Sequence, residues 1–209
     1  MAITIQRSRD VIENIIKMEW EMFQNVDNIG GRASCQDDFE TFYIMRRTQY
    51  ESWSEEMVEI YQAFVQKSQA EGRNLIAEKY ARMMQYTHLD YYNEHLRDKL
   101  PVLLPANRFL IDTIVEAMVQ WEKEYAVKYP KLAGRARPIT SDQDVYGFTS
   151  METYARGELE TYPQQLLRLY VEYVKRLQAD GRSLSVISQE IMVKFYGYDS
   201  IEEAEAAIK

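Results

Sequence analysis

The residues best suited to chemistry lie in one bend, Asn28-Ile-Gly-Gly-Arg32-Ala-Ser-Cys35-Gln36-Asp37-Asp38. Arg32 offers a planar fork of donors matched to a carboxylate or a phosphate. Gly30 and Gly31 permit positive φ and a close backbone approach. Asp37 and Asp38 open the helix that follows, where backbone N–H groups lack intrahelical partners. Cys35 is the only cysteine of the chain; a helix N-terminus and Arg32 would lower the pKa of its thiol, and the two aspartates would raise it. The bend is therefore expected to line a ligand cleft, with Cys35, Asp37 and Asp38 as catalytic candidates and Asn28, Arg32 and Gln36 as ligand-binding candidates. The competing reading is local: Gly31 ends the first helix, Asp37 caps the second, and Arg32 pairs with Glu21.

Other chemistry-bearing residues give weaker signals. Thiol catalysis usually needs a histidine base, and the two histidines, His88 and His95, are seven residues apart on one helix face, far along the chain from Cys35. His88, Asp90, Glu94 and His95 could be metal ligands, but Gln85 and Tyr92 occupy the positions where a di-iron bundle places its Glu, so no metal site is expected and no cofactor is assigned. Arg46 shares a helical stripe with Phe39, Phe42 and Tyr43. A charge on such a stripe must be paired, must snorkel, or binds an anion, which makes Arg46 a further ligand-binding candidate. Trp20, Tyr43, Trp53, Trp121, Tyr154 and Tyr162 are read as core packing rather than as the lining of an aromatic cavity.

These residues require helices to hold them. Ile12, Ile15, Ile16, Trp20, Phe23 and Val26 recur at helical spacing over 9–27, with Ser8 as a cap. A second helix is expected over 37–50. Ser54 with Glu55 and Glu56 starts a third, and Gly72 ends it. Helices over 80–86 and 187–196 follow the same logic. Thr87-His-Leu-Asp90 has the capping-box pattern for a helix over 89–99, and Ser200 starts a last short helix. The two prolines of Leu100–Pro105 mark a joint. No segment alternates as a strand does, so the fold class is all-α.

The chain also resembles itself. Tyr61, Val65, Gln69, Ala70, Gly72, Arg73 and Leu75 recur as Tyr170, Val174, Gln178, Ala179, Gly181, Arg182 and Leu184. Upstream, Trp20-Glu21 and Gly31-Arg32-Ala33 recur as Trp121-Glu122 and Gly134-Arg135-Ala136. Two copies, 1–100 and 101–209, are read as an internal duplication with a pseudo-twofold relation, packed as one domain. A repeated Glu…Gly-Arg pair suits a structural ion pair, so function is expected where the copies differ: Ser34–Asp38 in one, Arg137–Asp144 in the other. Arg135 and Arg137 join the ligand-binding candidates, in a cleft expected between the copies.

Composition limits the partners. The chain has 209 residues, a net charge of −8 and 28% charged residues, with a pI near 5.0, which disfavours nucleic acid or an anionic membrane. No apolar run reaches the ~20 residues of a membrane span, and the start of the chain lacks a secretory signal. A cytoplasmic protein is expected.

The segments EWEMFQNVDNIGGRASCQDDFETFYIMRRTQY, AEGRNLIAEKYARMM, YPKLAGRARPI and YARGELETY resemble an uncharacterised bacterial family, domain of unknown function 4125, over Trp20–Tyr198. Its most specific motif is intact at Asn28–Asp38. The resemblance carries no catalytic residue across. It implies a stand-alone helical domain and draws attention to the Cys35 bend. The expected function is a helical protein that binds a small polar or anionic molecule, as an enzyme using Cys35 or as a simple binder; the alternative is a non-catalytic adaptor or scaffold in which the bend is structural.

Overall fold

Ser54, Ser150, Ser183 and Ser200 each accept a hydrogen bond from a backbone N–H of the helix they precede, the usual satisfaction of orphan donors at a helix start. A computed structural model describes residues 2–28, 30–145 and 148–209, with side chains from Arg9 onward. Its regular elements are helices; among the described residues the only β pairing is one bridge, Val145 with Phe148. The chain divides into two compact units, Met1–Ala77 and Glu78–Lys209.

The first unit is built on α1 (Ala2–Gln24), which packs against α2 (Phe39–Glu51) and α3 (Glu55–Ala70). Ile12, Ile15, Ile16 and Phe23 of α1 are buried with Ile44, Tyr50, Trp53, Met57, Tyr61 and Val65. The helix α1 starts well before Ser8, so its backbone leaves no cap at that position; the Ser8 side chain lies outside the described residues. Ser is neutral enough in a helix interior not to stop one. The helix also ends at Gln24 rather than Asp27. Leu75 and Ile76, which begin α4 (Leu75–Thr87), are buried as well.

The second unit is centred on α6 (Pro105–Lys128), which contacts α7 (Pro130–Ala133), α8 (Met151–Leu159), α9 (Gln164–Ala179) and α10 (Leu184–Phe195). Ile111, Ile114, Val115 and Trp121 are buried with Leu159, Leu166, Leu167, Tyr170, Val174 and Leu177. Tyr125, Tyr129 and Val193 form a further cluster with Ile201 and Ala204 of α11 (Ile201–Ala207). Pro105 sits in the first turn of α6 after an extended stretch, as the two prolines suggest.

The expected helix over 89–99 is broken instead. A single turn, α5 (Leu89–Tyr91), passes into a π-helical turn, Tyr92–Leu96, and a 3-10 turn, Arg97–Lys99. Thr87 does not cap it: it is the last residue of α4, and its hydroxyl donates to the Met83 carbonyl. Pro163 stands as the N-cap of α9.

Candidate functional site

Gln36 organises the bend. It is 1% exposed. Its Nε2 donates to the carbonyls of Phe23 at 2.8 Å and Val26 at 3.1 Å, and its Oε1 accepts from Asn28 Nδ2 at 2.8 Å and Ala33 N at 2.9 Å. All four of the amide's hydrogen-bonding positions are used. The carbonyls at the end of α1 are thereby satisfied from the side, which is why the helix stops at Gln24. The sequence Ser34–Asp37 forms a 3-10 turn that carries Gln36 back onto Ala33.

Arg32 is engaged locally through Nε and Nη2. Its Nε and Nη2 donate to Asp37 Oδ1 at 2.9 and 2.8 Å, and Nη2 also reaches Gln24 Oε1 at 2.5 Å and the Gln36 carbonyl at 2.9 Å. Its carboxylate is Asp37, not Glu21. Asp37 lies in the 3-10 turn, and it is Asp38 that caps α2, accepting from Thr41 N at 3.0 Å. That backbone N–H holds the Asp38 carboxyl below its usual range. Gly31 has φ 86° but lies beyond the end of α1, in a turn closed by its N–H to the Asn28 carbonyl at 3.0 Å. Cys35 is exposed.

Arg46 is paired rather than open to a ligand. Glu19 is 0% and Arg46 6% exposed. Two donors of the guanidinium, Nε and Nη2, engage the two oxygens of Glu19, Nη1 reaches Gln49 Oε1 at 2.9 Å, and the hydroxyls of Tyr50 and Tyr61 donate to Glu19 at 2.6 and 2.7 Å. This is a closed core network.

The second unit holds Arg135 and Arg137. Arg135 is exposed, and its side chain has no hydrogen bond or ion pair among the described residues. Arg137 donates to the Thr149 carbonyl and hydroxyl at 3.1 and 3.2 Å and lies 4.9 Å over the Tyr154 ring. Glu122 does not serve as an ion-pair partner of Arg135; burial raises its carboxyl pKa, and a hydrogen bond from Ser185 pulls it back. The structure thus brings Asn28, Arg32, Gln36 and Asp37 together, sets Asp38 and Cys35 at the bend's rim, and places Arg46 in the core.

Two features were missed. In the second unit, Lys79 of α4 meets Glu158 of α8 at 2.5 Å, and Arg82 meets Glu160 at 3.5 Å, all four side chains less than a tenth exposed. Tyr162 donates to Glu158 at 2.7 Å, and Lys79 Nζ sits 3.5 Å from the Tyr154 ring centre. In the first unit, α1 and the start of α2 enclose an open groove of about 470 Å³ lined by Glu13, Asn14, Ile16, Lys17, Trp20 and Phe39. Trp20 meets Phe39 and Phe42 at ring-centre distances of 5.1 Å, and Phe39 is 48% exposed. Trp20 was visible as an aromatic on the stripe of α1; its half-burial beside an exposed Phe39 was not, because it depends on how α2 meets α1.

The profile of a protein family of unknown function, DUF4125, matches residues 9–206. The chain belongs to this family. No curated protein and no solved structure matches it. The DUF4125 match covers most of both units and spans the Asn28–Asp38 bend. No described helix is long and apolar enough to cross a membrane.

Proposed function

We propose that this DUF4125 protein is a non-catalytic binding module, in which the Asn28–Asp38 bend is structural and a small polar or anionic molecule is held in the groove between α1 and α2. The observation that carries this reading is how completely the Gln36 amide is used inside the bend. A group that holds a substrate keeps hydrogen-bonding capacity for it; the Gln36 amide is spent on the end of α1 and the turn before α2. The groove offers the complementary situation. Its volume falls within the ~300–1,000 Å³ of small-molecule sites, which combine apolar walls with a few polar groups.

Mapping by two-dimensional NMR with small organic probes such as phenol and acetate tests the reading. Amide shifts concentrated on Glu13–Trp20 and Phe39 are expected. Shifts concentrated on Arg32–Asp38, lost in Cys35→Ser, would overturn it in favour of a thiol-bearing active site.

We also infer that the chain arose by duplication of a unit of about one hundred residues, 1–100 and 101–209. Several local correspondences support this. α3 and α9 have 16 residues each. Gly72 and Gly181 follow them at φ 73° and 62°, and the next N–H, of Arg73 or Arg182, returns to the carbonyl of Ser68 or Leu177. Ser34-Cys-Gln-Asp37 and Ser141-Asp-Gln-Asp144 both contain a 3-10 turn with Gln as the third residue.

A further inference from the structure

We propose that the α1–α2 groove takes an aryl carboxylate, its flat ring against Trp20 and Phe39 and its carboxylate on Lys17 and Asn14. This inference rests on reading the groove as the recognition site and assigns its ligand chemistry. The argument starts from Glu13. A glutamate four residues before a lysine on a helix is the natural partner of that lysine. Here Glu13 Oε1 is taken by Arg47 Nη1 and by the Tyr43 hydroxyl, which donates at 2.7 Å. The carboxylate is neutralised from the α2 side, and Lys17 is left exposed with no ion pair among the described residues. Glu21, one turn further along, accepts from Gln69 at 3.3 Å. The chain as a whole carries −8, yet the groove's one acid is compensated and its one lysine is not.

The walls fix the rest of the ligand. Lys17 and Trp20 are three residues apart and share a face of α1. Trp20 and Phe39 meet edge to face, with planes at 70°, so an incoming ring gains an offset-stacked or edge contact with one or both. Asn14 also lines the groove and its side chain makes no hydrogen bond among the described residues, so its amide N–H can donate to a second carboxylate oxygen. A neutral ring would leave the ammonium unpaired, and a bare anion would leave the aromatic walls uncovered.

The test uses the full isotopically labelled chain and three probes: 1-naphthoate, the neutral 1-naphthylmethanol, and acetate. Saturable shifts at Glu13–Trp20 and Phe39 are expected with 1-naphthoate, with about fivefold or more weaker binding of the alcohol, the contribution expected of a charge-assisted hydrogen bond. Lys17→Ala should remove the preference and Lys17→Arg should keep it. Phe39→Ala, at an exposed position, should weaken both aromatic probes while leaving the fold intact. Equal affinity for acid and alcohol, or a Lys17→Ala variant that keeps the preference, overturns the carboxylate assignment and leaves the groove reading standing. Acetate shifting the same amides as strongly as 1-naphthoate overturns the aromatic half. Shifts elsewhere, or none with any probe, overturn both.

Discussion

Gln36 acts as a bracket between the end of α1 and the turn that starts α2. Replacing it with Ala removes the side-chain partner of the Val26 carbonyl and the Ala33 N–H, and leaves the Phe23 carbonyl with the Val26 N–H alone. Gln36→Ala is expected to lower unfolding free energy in urea by about 2–3 kcal/mol, the cost of a few unsatisfied polar groups. Cys35→Ser, at the adjacent but exposed position, is expected to stay within ~0.5 kcal/mol of the natural chain. Glu19 gives the sharper contrast. Glu19→Ala strands Arg46, Tyr50 and Tyr61 in the core and is expected to cost about 3–5 kcal/mol, while Glu19→Met with Arg46→Met recovers much of it because neither charge is left behind. Equal losses in the single and double variants would show that the pair itself, rather than the stranded charge, sets the cost.

At the scale of helices, α4 and α8 approach each other closely at Gly157. A Cβ there would stand 2.5 Å from Met83 Cγ and 3.0 Å from the Lys79 carbonyl oxygen. The methionine can move; the backbone oxygen yields only if α4 shifts. Gly157→Ala is expected to destabilise by about 1–3 kcal/mol and, by loosening the Lys79–Glu158 and Arg82–Glu160 contacts, to speed amide exchange along the end of α4. Faster exchange confined to α8 would contradict it. Periodicity and caps made most helices legible, because Ser54, Ser200, Gly72 and Gly181 act within a few residues of themselves. The α4–α8 charges were not legible: Lys79 and Glu158 are 79 residues apart, and nothing local says which glutamates are buried. Thr87 misled because a threonine followed by an acid three residues on reads as a cap even when its hydroxyl is bonded backward to Met83. The bend stood out in the sequence as a dense polar segment, but a dense set of polar side chains looks the same whether it faces a ligand or ties two helix ends together. Arg46 was marked as needing a partner; the partner, Glu19, lay on another helix.

For the molecule as a whole, the carboxyls with displaced pKa values make stability depend on pH in opposite directions. Asp38 is lowered by the Thr41 backbone N–H, so its contribution is present above the ordinary aspartate value and is lost as pH falls through the native one. Glu122 is raised by burial, with Ser185 pulling the other way. Glu160 is raised by burial against the pull of Arg82, Arg108 and Arg156. For these two the native state holds its proton where the unfolded chain has already released it, so stability falls as pH rises from the ordinary glutamate value through the raised one, and then levels off. Glu122→Gln removes that titration while leaving an oxygen for Ser185. The variant is expected to melt higher than the natural chain at neutral pH, with the gap closing as pH drops through the glutamate range. Self-repulsion also grows above the pI near 5.0, so the comparison needs Glu116→Gln, an exposed position on the same helix, to match the change in net charge. If Glu116→Gln reproduces the pH-dependent gap, the effect belongs to overall charge and Glu122 is not the group that titrates out of place.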